Sequence, residues 1–402
     1  MPNHLVSTLS NEVYPLDILN EFSENGESLE VSIPGVEKAQ IRPGKKLWDR
    51  FRDFMPLPIP DEISLGEGNT ALMKAAPSLL EFSGIRNLML KNETQNPTWS
   101  FKDRGSLTCV AMAKSKDEKV TATISTGNMG QSISAYGAKA NLKVIVFVPP
   151  TTSQKRVSAM ALHGATVFKV KAPDYSLMKK QILDLALGLR LRVVSGNGPI
   201  RVEGYKMTAF EMYEQMEGEV PDFIAVPTSA CGHIRGIFKG YRELKQAGLI
   251  SKLPRMIIVQ ARNNRPIVQA IKEGKNQIIP FKDFHTIAES ITTGNPMGGD
   301  ELIDKAKKFG WLAEDVTEEE ILLAQRKLAR AGYFVEPASA TSLYAVKKLR
   351  AAGKIDENAS VVLMLTGSGL KDMEVVRYHT GRVVETDTVR LEEDLKRHLA
   401  EE

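Results

Sequence analysis

From Leu88 onward the chain alternates continuous apolar runs with helix-length amphipathic segments, and this alternation constrains the fold more than any other feature of the sequence. Runs such as Val144-Ile145-Val146-Phe147-Val148, Phe223-Ile224-Ala225-Val226 and Val361-Val362-Leu363-Met364-Leu365 have no polar face, so each needs cover on both sides. Strands of that kind belong to parallel sheets joined by helical crossovers, which makes the chain an α/β protein. Helices are expected at about 130–140, 158–164, 175–187, 206–216 and 318–331, the last opened by a capping box of Thr317 and Glu320. The first 60 residues are mixed, with a packing helix expected near 47–54, and read as an extension lying on the rest. The run Val193-Val194-Ser195-Gly196-Asn197-Gly198-Pro199 reads as the return from one α/β unit to another. The expected partition is an N-terminal extension of 1–60, a larger unit built from 61–106 and 193–402, and a smaller unit of 107–192.

A chain of 402 residues is long enough for two domains, and 42% hydrophobic with 25% charged residues is a globular composition. The net charge of +4 comes from basic residues scattered among 49 acids, and the basic run around Arg42 to Arg52 is short, which argues against nucleic-acid binding. Cys109 and Cys231 are too far apart for a Cys-x-x-Cys motif and too few for a disulfide framework, so the cytoplasm is the default compartment. Residues 1–15 lack a basic cap and an apolar stretch, and nothing approaches 18 uninterrupted apolar residues; neither secretion nor a membrane span is expected.

The chemistry centres on Asn96-Pro97-Thr98-Trp99-Ser100-Phe101-Lys102-Asp103-Arg104-Gly105, just after the strand-like Leu88-Met89-Leu90-Lys91. A free lysine, with a pKa of roughly 10, stays protonated until its surroundings depress it or a carbonyl captures it. Lys102 beside an aromatic, a hydroxyl and two opposite charges is either such an amine, forming a Schiff base with a cofactor aldehyde, or part of a solvated turn. Small-residue loops follow several strands, where open α/β sheets bind ligands. Ser125-Thr126-Gly127-Asn128-Met129-Gly130 and Ser229-Ala230-Cys231-Gly232-His233 each lead into a helix whose first N–H groups are free for an anion, or are plain turns and caps. Cys231 and His233, two residues apart on a helix, face away from each other, which favours a packed thiol over a nucleophile. Thr366-Gly367-Ser368-Gly369-Leu370-Lys371-Asp372 offers a hydroxyl at a strand end, while Leu65-Gly66-Glu67-Gly68-Asn69-Thr70 and Glu336-Pro337-Ala338-Ser339-Ala340 offer carboxylates.

In this order the segments resemble the threonine synthase branch of the tryptophan-synthase-β-like enzymes that use pyridoxal phosphate, known as fold type II, over roughly residues 60 to 375. The family's central stretch, Asn-Pro-Thr-Gly-Ser-Phe-Lys-Asp-Arg-Gly, maps onto 96–105 with Trp99 in place of glycine. The resemblance implies two open, mostly parallel α/β domains with the cofactor between them. It implies Lys102 as the Schiff-base lysine with Phe101 beside it, Asn128 at the ring O3′, Thr366 facing the pyridine nitrogen, and Ser229, Ala230, Cys231, Gly232 and His233 around the cofactor phosphate. Ser125, Thr126 and Gly127 would meet the substrate carboxylate. Arg201, Met129, Ser195 and His233 would lie on the substrate side, Arg201 as a second catalytic residue near a substrate phosphate. Segments 289–296 and 335–340 match as well.

The implied reaction converts O-phospho-L-homoserine and water to L-threonine and phosphate in a homodimer. The alternatives are β-replacement on O-phosphoserine, as cysteate synthase performs with sulfite, β-elimination from serine, threonine or diaminopropionate, or an amino-acid sensor that keeps the fold. Four departures bear on this choice: Trp99; Met129 in place of threonine; Ser195-Gly196 in place of Asn-Ser; and His233 in place of an asparagine. Trp99 is expected to put a ring close to the cofactor or behind it, and to forfeit the glycine's backbone freedom. With no cysteine and only His4 in the first 60 residues, the zinc module often found in this family is not expected, and no metal is.

Overall fold

The apolar runs are parallel strands. The computed structural model describes residues 2–172, 175–282, 284–379, 381 and 383–400. A six-stranded sheet runs in the order Leu312–Val316, Arg255–Ala261, Phe223–Pro227, Ser360–Leu365, Asn87–Asn92 and Leu72–Lys74, all parallel except the last. Its central strand Phe223–Pro227 is buried at every residue, as a strand covered on both faces must be. A four-stranded parallel sheet has the order Thr166–Lys169, Lys143–Val148, Val120–Ile124 and Val193–Val194. Val193–Val194, expected as a return between units, is thus the edge strand of this smaller sheet. The N-terminal residues form a three-stranded antiparallel sheet of Val13–Pro15, His4–Ser7 and Leu29–Ser32.

Helix positions follow the sequence pattern with shifted starts. The helix expected at 206–216 begins seven residues earlier, at Pro199, and runs Pro199–Gln215. Proline is favoured in the first turn because its missing N–H has no partner there, so the residue that reads as a loop is in fact the start signal. The helix expected at 158–164 is Gln154–Leu162, and the capping box at Thr317 and Glu320 opens Glu318–Arg330. The helix expected at 47–54 splits into a short α-helix Leu47–Arg50 and a 3-10 turn Arg52–Phe54. Its Phe51 stacks on Phe210 of Pro199–Gln215 with centroids 4.6 Å apart, an aromatic pair contributing about 1 kcal/mol beyond area burial.

The lysine opens the helix Lys102–Ser115, which lies against Pro199–Gln215. The approach is close: a Cβ on Gly204 would sit 2.1 Å from the Arg104 carbonyl oxygen, so only glycine fits there. This packing fixes the height of Lys102 above the sheet edges.

Candidate active site

A cavity of about 270 Å³ opens between the C-terminal ends of the six-stranded and four-stranded sheets. It is lined by Phe101 and Lys102, by Ser125 to Met129, by Ser195, by Ser229 to His233 and by Thr366. The small-residue loops, separated by more than two hundred residues, therefore converge on one lysine. Of the residues that the resemblance assigns to cofactor or substrate, Arg201 alone does not line the cavity. It is wholly buried behind the lysine helix and beside Tyr205, where Nη1 donates to Ser106 Oγ at 3.2 Å while Nε and Nη2 have no acceptor at hydrogen-bond geometry among the described residues.

Lys102 Nζ lies 4.1 Å from the Phe101 ring centroid and 5.9 Å from that of Tyr205. Burial pushes its amine down to about 7 and Arg201 pushes the same way, while Glu336 opposes them. A lysine so placed is substantially neutral near neutral pH, which a solvated turn would not achieve. The turn ahead of it is held by Asp103, whose carboxylate accepts from Thr98 N at 2.6 Å and from Ser132 Oγ at 2.6 Å, and by Phe101 N donating to Thr366 O at 3.0 Å.

Trp99 differs from expectation. Its φ of +63° is the left-handed value that a glycine would supply, and its side chain is 52% exposed and outside the cavity lining. Trp99 N donates to Asn96 O at 2.7 Å and its own carbonyl accepts from Ser368 N at 3.0 Å. These two bonds hold the turn in shape, and the ring goes outward at a strain cost of about 1–2 kcal/mol.

Ser229 to His233 link the strand Phe223–Pro227 to the helix Gly232–Gln246. Cys231 has φ +76°, which turns the chain so that the loop wraps the helix start. The N–H groups of Ser229, Ala230 and Cys231 donate to no acceptor among the described residues, and the first helical N–H groups are unpaired by construction. Together they form a cup for a phosphate. The Cys231 thiol is buried, pushed up in pKa by burial, and donates to Ser229 O at 3.6 Å, so it is packed and not nucleophilic. His233 stacks on Phe101 with centroids 3.8 Å apart, and burial pushes it down to about 3, which leaves the ring neutral, with both nitrogens unpartnered among the described residues. Gly232 has no room for a side chain, because a Cβ would fall 2.1 Å from Gly196 O. Gly232→Ala is expected to displace the cup and to weaken the binding of a phosphate-bearing ligand there about tenfold, measured by fluorescence titration.

At the far wall Thr366 Oγ1 lies 2.8 Å from Ser339 Oγ, and Asn128 Nδ2 donates to Glu336 Oε2 at 2.9 Å. Within 125–130, Ser125 Oγ accepts from Gly130 N at 3.0 Å, closing the loop at the start of the helix Asn128–Lys139. Glu67 is not part of the cavity. It is consumed structurally by Ser64, Leu65 N and Tyr136.

Sequence reasoning missed several lining residues. Leu19 to Phe22 bring the N-terminal segment to the wall, with Glu21 accepting from Ser195 N at 2.6 Å. Lys371, which donates to Thr98 O at 2.6 Å and is pushed down to about 8 by burial, also faces the cavity. At the mouth Arg156 pairs with Glu289 at 2.7 Å. For Lys371 a signal existed in the loop 366–372; for Leu19 to Phe22 there was none.

Residues 63–367 match the sequence model of the family described as pyridoxal-phosphate dependent enzyme, and the chain belongs to that family. Within it, threonine synthases are among the most similar relatives. That of Methanocaldococcus jannaschii is 39% identical over 362 residues, 89% of this chain and 87% of its own, and that of Methanosarcina acetivorans is 38% identical over 367 residues, 90% and 87%. Among solved structures, a pyridoxal 5'-phosphate-dependent aspartate racemase superposes with TM-score 0.65 at 22% identity, covering 79% of this chain and 95% of that one. The processed form of threonine deaminase isoform 2 from Solanum lycopersicum gives 0.65 at 18%, covering 89% and 90%; both show the shared fold. Pyridoxal phosphate is thus the cofactor, and the residues present fit it: an amine of lowered pKa, a cup of unpaired N–H groups and a glycine that leaves it open.

Proposed function

We propose that this chain converts O-phospho-L-homoserine and water to L-threonine and phosphate. The observation that carries the reading is the half-buried Lys102, its amine lowered in pKa, facing a cavity walled by Asn128, Thr366 and the loop 229–233; the identity to threonine synthases over most of both chains supports it. Lys102 would hold the cofactor through Nζ, the N–H groups of 229–233 its phosphate, Asn128 its ring oxygen and Thr366 its ring nitrogen. When bound, pyridoxal phosphate supplies an electron sink for negative charge at the substrate Cα. Lys102 Nζ, about half deprotonated near pH 7 and released from the cofactor when substrate binds, would take the Cα proton. Ser125, Thr126 and Gly127, at a helix start, receive the substrate carboxylate, and Met129 and Ser195 shape the side-chain end. Burial does most to lower the Lys102 amine, and Arg201 adds to it from behind the helix as a fixed positive charge.

A second reading draws on the leaving-group side. His233 is neutral and stacked, Arg201 is outside the cavity, and Met129 brings no polar group. That environment favours β-elimination from serine, threonine or diaminopropionate, which expels no phosphate; β-replacement on O-phosphoserine is the other alternative and shares the phosphate leaving group of the first reading. A substrate panel of O-phosphohomoserine, O-phosphoserine with several nucleophiles, diaminopropionate, threonine and serine, read by phosphate release and product mass, decides between them. Threonine formed from O-phosphohomoserine is the expected result; its absence rejects the first reading. The division into 1–60, 61–106 with 193–402, and 107–192 belongs to the same proposal, supported by a smaller sheet whose strands lie between 120 and 194. So do the cytoplasm, from two distant, free and buried cysteines, and the homodimer, from the family resemblance.

A further inference from the structure

Glu336 stands immediately before the helix Pro337–Ala351, where a short polar side chain ordinarily caps the first turn, yet it makes no capping bond. Its Oε2 accepts instead from Asn128 Nδ2 at 2.9 Å and from Ser290 Oγ at 2.8 Å. The residue is 4% exposed, lines the cavity, and forms no ion pair among the described residues. A carboxylate only accepts hydrogen bonds, so the Asn128 amide is obliged to turn its NH2 group toward Glu336. The other Nδ2 hydrogen and the carbonyl oxygen are then fixed in direction as well. Asn128 opens a helix beside the four-stranded sheet and Glu336 precedes one beside the six-stranded sheet, so this single bond ties the two walls.

We propose that Glu336 is a positioning residue: by holding the Asn128 amide nitrogen it makes Asn128 a hydrogen-bond donor to the ring oxygen of the bound cofactor, and it acts through Asn128. This rests on the reading of the cavity as the pyridoxal phosphate site. A glutamine in its place can donate as well as accept, which frees the amide to present its carbonyl to that oxygen.

The test is the pH midpoint of the cofactor's visible band in the loaded protein, compared among wild type, E336Q, N128A and E336Q/N128A. The other charged or titratable groups near Lys102 or lining the cavity among the described residues, Glu21, Arg156, Lys179, Arg201, Tyr205, Cys231, His233, Glu289, Lys371 and Asp372, are unchanged in all four proteins and cancel in the comparison. The shift caused by E336Q with Asn128 present is expected to differ by about one pH unit from the shift caused in the N128A background, the effect of one charge-assisted hydrogen bond. Equal shifts in the two backgrounds, or no shift in either, overturn the proposal. If E336Q does not load, E336D, one methylene too short to reach Asn128, takes its place with the same expectation. A visible band that survives in K102A removes the cofactor reading itself, so that failure is told apart from failure of the Glu336 assignment.

Discussion

Replacing Lys102 with alanine is expected to lower kcat by about 10³- to 10⁴-fold and to abolish the visible band of the cofactor. The size follows from the double role proposed for the amine, as attachment point and as base; of the other lysines lining the cavity, Lys371 is tied to the Thr98 carbonyl, and neither it nor Lys179 lies over Phe101 as Lys102 does. Arginine at 102 is not expected to rescue, because a guanidinium does not deprotonate. In cofactor-free protein, the rate at which Lys102 reacts with an amine-directed reagent should level off above about pH 7, since burial and Arg201 together lower the amine to about 7. Arg201→Met should move that midpoint upward, by removing a positive charge that disfavours the ammonium. A midpoint near 10 in the unaltered protein would sink this account of Lys102.

Glu211→Ala is expected to cost about 3–5 kcal/mol of folding stability, seen as a lower denaturant midpoint at unchanged slope. Arg104, two residues beyond the lysine and 1% exposed, donates to Glu211 through Nη1 and Nη2 at 3.1 and 2.8 Å and to Glu93 through Nε and Nη2 at 2.8 Å each. Lys91 Nζ reaches the same Glu211 oxygen at 2.5 Å, and Asn69 N and Thr70 N donate to Glu211 at 2.6 and 2.9 Å. Removing Glu211 leaves two buried cations facing Glu93 alone and releases the loop that holds the lysine turn. Burial opposes the charge on Glu211, but Arg104 and Lys91 outweigh it and hold the carboxyl below the usual range. A depressed carboxyl contributes stability above its unfolded pKa, about 4.3, and loses it as pH falls. The variant should therefore be less sensitive to acid than the parent while being weaker at pH 7.

The central strands were legible because Phe223–Pro227 and Ser360–Leu365 are covered on both faces and so carry no polar positions. The lysine and its loops were legible because small residues at strand ends leave N–H groups free, and loop 229–233 does so here. Trp99 was not, because the turn is shaped by bonds to Asn96 and Ser368, and the second lies 269 positions away in a segment whose approach no local pattern records. Arg201 matched a motif while its direction depended on Gly204 letting two helices close on each other. The N-terminal strands of three and four residues are too short for any period to show, and with them the wall made by Leu19 to Phe22 stayed hidden.

That wall has a consequence for biogenesis. The cavity is lined both by residues 19–22 and by Thr366 and Lys371, so its enclosure joins segments that are made far apart in the order of synthesis. A nascent chain holding the attachment lysine and the phosphate cup has no closed chamber until the strand Ser360–Leu365 inserts between Phe223–Pro227 and Asn87–Asn92. Contacts of such sequence separation form slowly. Cofactor capture during synthesis should therefore be timed by the insertion of that one late strand.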